Sequence, residues 1–264
     1  MIHYVSTRGQ AGRRSFEDVL LAGLAEDGGL FVPETWPRFT AEELRACRDL
    51  DYPALAARLL APFTEGCFDE AELRRLAGRA YAEFDHPAIA PLRHLARDAW
   101  LLELFHGPTL AFKDFAMQLL AAMFDEVLGR RGERVTIVGA TSGDTGAAAV
   151  HAFAGKAQVE IAMLHPEGRV SPVQRRQMTT VEAPNLLNIA LRGTFDDCQD
   201  LVKAMFADAD FRRAQRITAV NSINWARVMA QAVYYVWAAL RLGAPDRPVA
   251  FTVPTGNFGN VFAG

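Results

Sequence analysis

The chain has 264 residues, of which half are hydrophobic, and its 28 basic and 31 acidic side chains leave a formal net charge of −3. This balance gives no reason to expect nucleic acid or an anionic membrane as a partner, and no apolar stretch is long enough to span a bilayer. Three widely spaced cysteines and six histidines without metal-ligand spacing indicate free thiols, a cytoplasmic location and no metal site.

In chain order, the residues up to about Asp85 show helical apolar spacing in the segments 44–46, 54–60 and 73–77. Prolines at positions 87 and 91 then interrupt the chain, so we predict a helical N-terminal domain at 1–85 and a second region at 86–264. In that region strands alternate with helices, which indicates an α/β fold with parallel sheets. The predicted strands are 134–140, 159–164, 186–191 and 249–253, and the predicted helices include 115–128, 172–180, 195–207 and 225–242.

Lys113 lies between a Gly-Pro-Thr turn at 107–109 and the helix at 115–128. Only three lysines stand among the 28 basic residues, and the rest are arginines. Unlike a guanidinium, an amine can lose its proton and condense with an aldehyde. Asp114 is placed to cap or to open the helix, where an acid suits the positive end of the helix dipole. The position favours a reactive amine, although a solvated surface lysine at a helix start is the simpler alternative.

A polar glycine turn follows the strand at 134–140 and leads into a helix of small residues. Its sequence is Thr141-Ser142-Gly143-Asp144-Thr145-Gly146. A strand–turn–helix connection of this kind points backbone N–H groups at an anion. The alternative is an ordinary connection whose polar side chains only cap the helix. The turn matches neither the Walker A pattern nor the G-x-G-x-x-G spacing of dinucleotide sites.

A second polar glycine segment, Gly256-Asn257-Phe258-Gly259-Asn260, follows the predicted strand at 249–253. Its glycines and asparagines favour a loop with exposed amides, which suits a phosphate group. Asn221, Ser222 and Arg227 lie at the start of the helix at 225–242. An arginine fork with hydroxyl and amide donors also suits a phosphate, although a helix cap beside a solvated arginine would give the same pattern.

Three segments, 106–115 (HGPTLAFKDF), 140–149 (ATSGDTGAAA) and 254–260 (PTGNFGN), together resemble threonine synthase. This pyridoxal-phosphate (PLP) enzyme has fold type II, in the tryptophan-synthase-β structural group. The N-terminal stretch 15–33 is similar to the small domain that marks threonine synthases within the group. The motifs appear in family order, and the resemblance extends over the whole chain.

The resemblance implies a role for each motif. Lys113 is similar to the lysine that holds PLP covalently and later moves protons. The segment Gly256, Asn257, Phe258, Gly259 and Asn260 resembles the loop that binds the cofactor phosphate. Thr141, Ser142, Gly143 and Thr145 resemble the turn that binds the substrate carboxylate. Asp144 resembles a residue beside the PLP ring, where many relatives have asparagine. Asn221, Ser222 and Arg227 are similar to residues that hold the substrate phosphate.

The reaction that the resemblance implies is the conversion of O-phospho-L-homoserine and water to L-threonine and phosphate. A small molecule is then the expected partner, and a homo-oligomer is left open. Threonine synthases continue well past the phosphate loop, so we expect this chain to be a fragment that is inactive alone. Two alternatives remain open: a related PLP-dependent phospho-lyase or dehydratase, and a non-catalytic binding fragment.

Overall fold

The computed structural model describes residues 2–219, 224–256 and 258–264. The N-terminal part is mainly helical, as the sequence predicts, and its strands β1 (Tyr4–Ser6) and β2 (Phe31–Pro33) pair antiparallel. Its helices are α1 (Phe16–Ala22), α2 (Ala41–Ala46), α3 (Tyr52–Leu60) and α4 (Glu70–Ala80). Each begins where a side-chain oxygen accepts a backbone N–H of the first turn, and the capping residues are Ser15, Thr40, Asp51 and Asp69.

An antiparallel hairpin follows, formed by β3 (Leu92–Ala96) and β4 (Ala99–Leu102). Several of its apolar side chains, such as Leu95 and Trp100, are exposed. Helix α5 (Lys113–Arg131) comes next, and twelve of its residues are buried, most of them in the apolar stretch 115–128. A helix of this kind lies inside a core rather than on a surface, and the long apolar run at 115–128 predicted it.

The remaining strands form a parallel sheet with the order β7-β6-β5-β8, which confirms the predicted α/β fold. The strands are β5 (Val135–Ala140), β6 (Val159–Pro166), β7 (Leu186–Leu191) and β8 (Ile217–Thr218). The helices after α5 are α6 (Asp144–Phe153), α7 (Pro172–Thr179), α8 (Phe195–Ala207), α9 (Ala209–Ala214), α10 (Trp225–Arg241) and α11 (Gly259–Ala263). The turn at 141–146 thus follows the carboxyl end of β5, where ligands of parallel sheets gather.

The predicted strand at 249–253 is wrong. These residues form no regular secondary structure, and Phe251 is exposed while its ring packs against Tyr235. A β-branched run becomes a strand only where a neighbouring strand offers a ladder of backbone hydrogen bonds. Within the described ranges, no strand pairs with this segment.

One hydrophobic cluster extends from Ile2 to Leu240 and includes most of α5 and α10. It contains residues on both sides of position 85, and the domain boundary there stays a prediction. In the described part of the chain, no helix is both long and apolar enough to cross a membrane.

The N-terminal part packs directly on the start of α10. The ring centroids of Tyr4 and Trp225 are 6.2 Å apart. Asn224 is fully buried, and its Nδ2 donates to the carbonyl of Leu20 at 3.0 Å while its Oδ1 accepts the N–H of Ala226. The first and last thirds of the chain therefore share one interface.

A second contact joins the same parts at the other end of α10. Asp246 accepts hydrogen bonds from Arg45 at 2.6 Å and from Arg48 at 2.7 Å. These arginine bonds lower the pKa of Asp246 to about 2. Charged hydrogen bonds thus hold the segment that follows α10 against α2 and against the residues just after α2.

Candidate active site

Lys113 is the first residue of α5, and its side chain is one-fifth exposed. Its Nζ donates to Oδ2 of Asp144 at 3.0 Å and lies 4.6 Å from the ring centroid of Phe112. The fold therefore brings together two residues that the sequence analysis assigned to separate motifs. The Lys113 amine is therefore partly exposed, and a small molecule can reach it.

Asp114 opens α5 in its first turn, which is one of the two roles predicted for it, and it does not cap the helix. The helix starts at Lys113, two residues earlier than predicted, and the Asp114 side chain bonds back to the preceding loop. Its carboxylate is buried and accepts from the N–H of Thr109 at 2.8 Å and from Thr109 Oγ1 at 2.6 Å. Burial raises the pKa of Asp114 more than these bonds lower it. A Cβ at Gly107 would lie 2.6 Å from this carboxylate, so glycine is required there.

The turn at 141–146 is organised by Thr141, whose hydroxyl lies inside it. Its Oγ1 accepts the N–H groups of Gly143 at 3.0 Å and Gly146 at 2.9 Å. Thr141 was predicted to bind substrate, but its buried hydroxyl is already used by the turn itself. Ser142 is exposed and Thr145 is half-buried, so their side chains remain accessible to a ligand.

Asp144 is the first residue of α6, and its side chain is 45% exposed. Partial burial raises its pKa, but the hydrogen bonds from Lys113 and Gln174 and the charge of Lys113 outweigh that effect. The net pKa of Asp144 is lowered, so the carboxylate is ionised at neutral pH. It acts as an acceptor of the Lys113 ammonium.

Two glutamines on α7, which no sequence motif indicated, also contact the site. The Nε2 of Gln174 donates to Asp144 Oδ1, and the Nε2 of Gln177 donates to the carbonyl of Thr109 at 2.8 Å. These residues are three positions apart, so they lie on one face of the helix. The helix-start pattern Ser-Pro at 171–172 and the spacing of the glutamines were the only available signals.

The loop at 256–260 is described except for Asn257, which lies outside the described residues. Gly256 is exposed and has open space around it, and Phe258 is 66% exposed with a left-handed φ of 57°. Gly259 begins α11. The segment therefore presents backbone amides at the surface, as a phosphate-binding loop would.

Asn260 is fixed by two tyrosines of α10. Its Oδ1 accepts from the hydroxyls of Tyr234 at 2.5 Å and Tyr235 at 2.9 Å, so its Nδ2 remains available as a donor. The Tyr234 ring also packs against Phe115, with the centroids 5.6 Å apart. The Tyr234 side chain thus contacts both Asn260 in the loop and Phe115 in the helix that starts at Lys113.

Arg227 is almost fully buried in the first turn of α10. Its Nε and Nη1 have no hydrogen-bond partner among residues 2–219, 224–256 and 258–264, and burial lowers the pKa of Arg227 to about 10 despite an opposing contribution from Tyr234. A buried cation with free donors is costly unless an anion satisfies it. Asn221 and Ser222, the predicted companions of Arg227, lie outside the described residues.

Comparison with known families gives two matches. The family described as threonine synthase N terminus matches residues 3–81, and the pyridoxal-phosphate dependent enzyme family matches residues 84–264. A threonine synthase of Pseudomonas aeruginosa is 59% identical over 263 residues, and the match covers 100% of this chain and 56% of that protein. The chain thus spans about half the length of the curated relatives that it matches.

Solved structures give the same result. The PLP-bound threonine synthase from Brucella melitensis has a TM-score of 0.96 and 57% identity, and the match covers 100% of this chain and 57% of that chain. Yeast threonine synthase has a TM-score of 0.92 and 40% identity, covering 99% and 54% respectively. The chain therefore belongs to the family of pyridoxal-phosphate dependent enzymes, and it carries a threonine synthase N terminus ahead of the region that defines this family.

Proposed function

We propose that this chain acts in the threonine synthase reaction, in which O-phospho-L-homoserine and water give L-threonine and phosphate with PLP as cofactor. The observation that carries the proposal is the Lys113 amine held 3.0 Å from Asp144 beside the glycine turn. The similarity to threonine synthases over the whole chain supports it. Three free cysteines and a small-molecule substrate support a cytoplasmic location.

The described residues fit a phosphorylated aldehyde cofactor. Lys113 offers a reachable amine, and the loop offers open space at Gly256, an exposed residue at Phe258 and, with Gly259 and Asn260, the start of α11. When bound, PLP withdraws electrons from the α carbon of an amino acid and so makes its α proton acidic. The proposal assigns Lys113 Nζ to accept and return protons at that carbon.

Asp144 is proposed to hold Lys113 in place and to stabilise its protonated form. The lowered pKa of Asp144 keeps it negative while the amine gains and loses its proton. Ser142, Gly143 and Thr145 surround the start of α6, where backbone N–H groups and the helix dipole favour a carboxylate. We assign the substrate carboxylate to this turn.

Arg227 is proposed to bind the substrate phosphate. Its Nε and Nη1, which are buried and have no partner in the described part of the chain, can donate to phosphate oxygens, and charged hydrogen bonds of this type are strong because the site excludes water. The same contact stabilises the phosphate as it leaves. Asn221 and Ser222 complete the predicted donor set.

The cofactor assignment can be tested by trapping. PLP is added to the purified protein, the adduct is reduced with borohydride, and the modified peptide is identified by mass spectrometry. We expect the pyridoxyl group on Lys113 and its loss in Lys113→Ala, because the remaining lysines, Lys156 and Lys203, lie outside the motifs. Lys156→Ala and Lys203→Ala are the matched controls. Labelling at either control lysine, or no labelling of a folded protein, would contradict the proposal.

The substrate assignment can be tested by thermal shift. O-phospho-L-homoserine should raise the melting temperature of the wild-type protein, whereas L-serine, which has no phosphate, should not. Phosphoethanolamine lacks the carboxylate that the turn would bind, so we expect a smaller shift with it. An equal response to phosphoethanolamine would favour a phospho-lyase of another specificity, and a response to L-serine would favour a dehydratase.

A further inference from the structure

Gln174 is held from both ends of its side-chain amide. The Ser171 hydroxyl, which caps α7, donates to Gln174 Oε1 at 2.9 Å. The Nε2 at the other end donates to Asp144 Oδ1. Because one end accepts and the other donates, the amide has one favourable orientation.

The main chain opposite Gln174 leaves space for this amide. A Cβ at Gly143 would lie 2.3 Å from Gln174 Oε1, and Gly143 has a φ of 151°, which side-chain-bearing residues rarely adopt. The turn that precedes α6 therefore accommodates the glutamine because position 143 is glycine. The contact between α7 and the turn is a close fit rather than an incidental surface approach.

The two oxygens of Asp144 have separate partners. Oδ1 accepts from Gln174 and Oδ2 accepts from Lys113 Nζ at 3.0 Å. An Asp side chain that is 45% exposed would otherwise rotate among several rotamers and weaken its ion pair. We propose that Gln174 is a positioning residue that fixes the Asp144 carboxylate against the Lys113 amine. This inference rests on the proposed function only in taking Lys113 as the reactive amine.

The test measures the reactivity of Lys113 without any cofactor. The protein is methylated with limiting formaldehyde and a borane reductant across pH 6 to 10, and each of its three lysines is quantified by peptide mass spectrometry. Lys156 and Lys203 serve as internal references. In Gln174→Ala, Asp144 is no longer fixed against Lys113 and the ion pair between them weakens, so Lys113 should react roughly three- to tenfold faster than in wild type at neutral pH.

Gln174→Glu should have the opposite effect. A second carboxylate beside Asp144 adds negative charge next to Lys113 and strengthens its ion pair, so the amine should react more slowly. Val173→Ala is the matched control on α7, because Val173 is 65% exposed and lies next to Gln174 in the sequence. This control should leave the reactivity ratio of Lys113 to the reference lysines unchanged.

Two results would overturn the inference. One is a Lys113 profile that coincides with wild type in both Gln174 variants, and the other is an equal change in Val173→Ala, which would indicate general loosening of α7. Thermal melts verify that each variant is folded, and if Gln174→Ala does not fold, Gln174→Glu alone decides the question. The methylation test contains no PLP, so a negative result would count against the role of Gln174 and not against the assignment of Lys113 as the cofactor lysine.

Discussion

Replacing Arg227 with methionine should stabilise the fold while removing the proposed phosphate site. The guanidinium is buried, and its Nε and Nη1 have no hydrogen-bond partner among the described residues. Burial lowers the pKa of Arg227 to about 10. Compared with an ordinary arginine, this pKa corresponds to roughly 3 kcal/mol of unfavourable free energy for the charged form. Methionine has a similar length and no such cost.

We expect a net gain in unfolding free energy of about 2 kcal/mol for Arg227→Met, because the new side chain packs imperfectly. This gain corresponds to a rise in melting temperature of roughly 4–8 °C. Urea denaturation followed by circular dichroism measures the free energy. Phosphate should raise the stability of the wild-type protein by mass action, and this response should be lost in the variant.

Arg241 provides a matched control on the same helix. Its guanidinium donates to the backbone carbonyls of Arg48 and Leu50 and stacks over Trp237. Arg241→Met should therefore lower the unfolding free energy. A loss of stability in Arg227→Met of more than about 1 kcal/mol would refute the reasoning, because it would mean that the buried guanidinium is satisfied in the folded protein.

Three further predictions concern the described structure. Asn224→Ala should lower the unfolding free energy by about 1–3 kcal/mol in urea titrations, since it removes a helix cap and leaves the Leu20 carbonyl unpaired; an unchanged midpoint would contradict it. Gly143→Ala should lower the melting temperature because its methyl group meets Gln174, and a neutral effect would show that α7 can move aside. The pKa of Asp246 is lowered to about 2, so its stabilising contribution should be complete above about pH 4 and disappear as the pH falls through 2. Comparing acid titrations of wild type and Asp246→Asn checks this, and parallel curves would contradict it.

The elements that the sequence predicted best have local signals. The strand at 186–191 and the helix at 195–207 match the structure in full, and Thr194 caps that helix in a reciprocal pair with Asp197. The segment at 249–253 is also apolar and richer in β-branched residues, but no strand in the described part of the chain pairs with it. The local sequence indicates only that a segment could form a strand. Whether the strand forms depends on a neighbouring strand, which residues far away in the chain must supply.

The candidate site likewise contains residues that local motifs indicate and contacts that only the folded structure creates. Lys113 and Asp144 were each found from their own motifs, but their 3.0 Å contact results from packing α5 against α6. Gln174 was missed because a glutamine on a polar helix carries no local mark of its partner. Asp114 opens α5, one of its two predicted roles, but does not cap it, because the helix starts two residues earlier than predicted, at Lys113.

The interface between the N-terminal part and α10 has a consequence for synthesis of the chain. Leu20 and Asn224, which bond across it, are 204 residues apart. At ordinary rates of translation, roughly 10–40 seconds pass between the appearance of the two residues. During that interval Tyr4, Leu20 and their apolar neighbours have no α10 to cover them. The apolar surface that α10 covers on the first helices therefore stays exposed to solvent until α10 is synthesised. Chaperone protection would matter most during this interval.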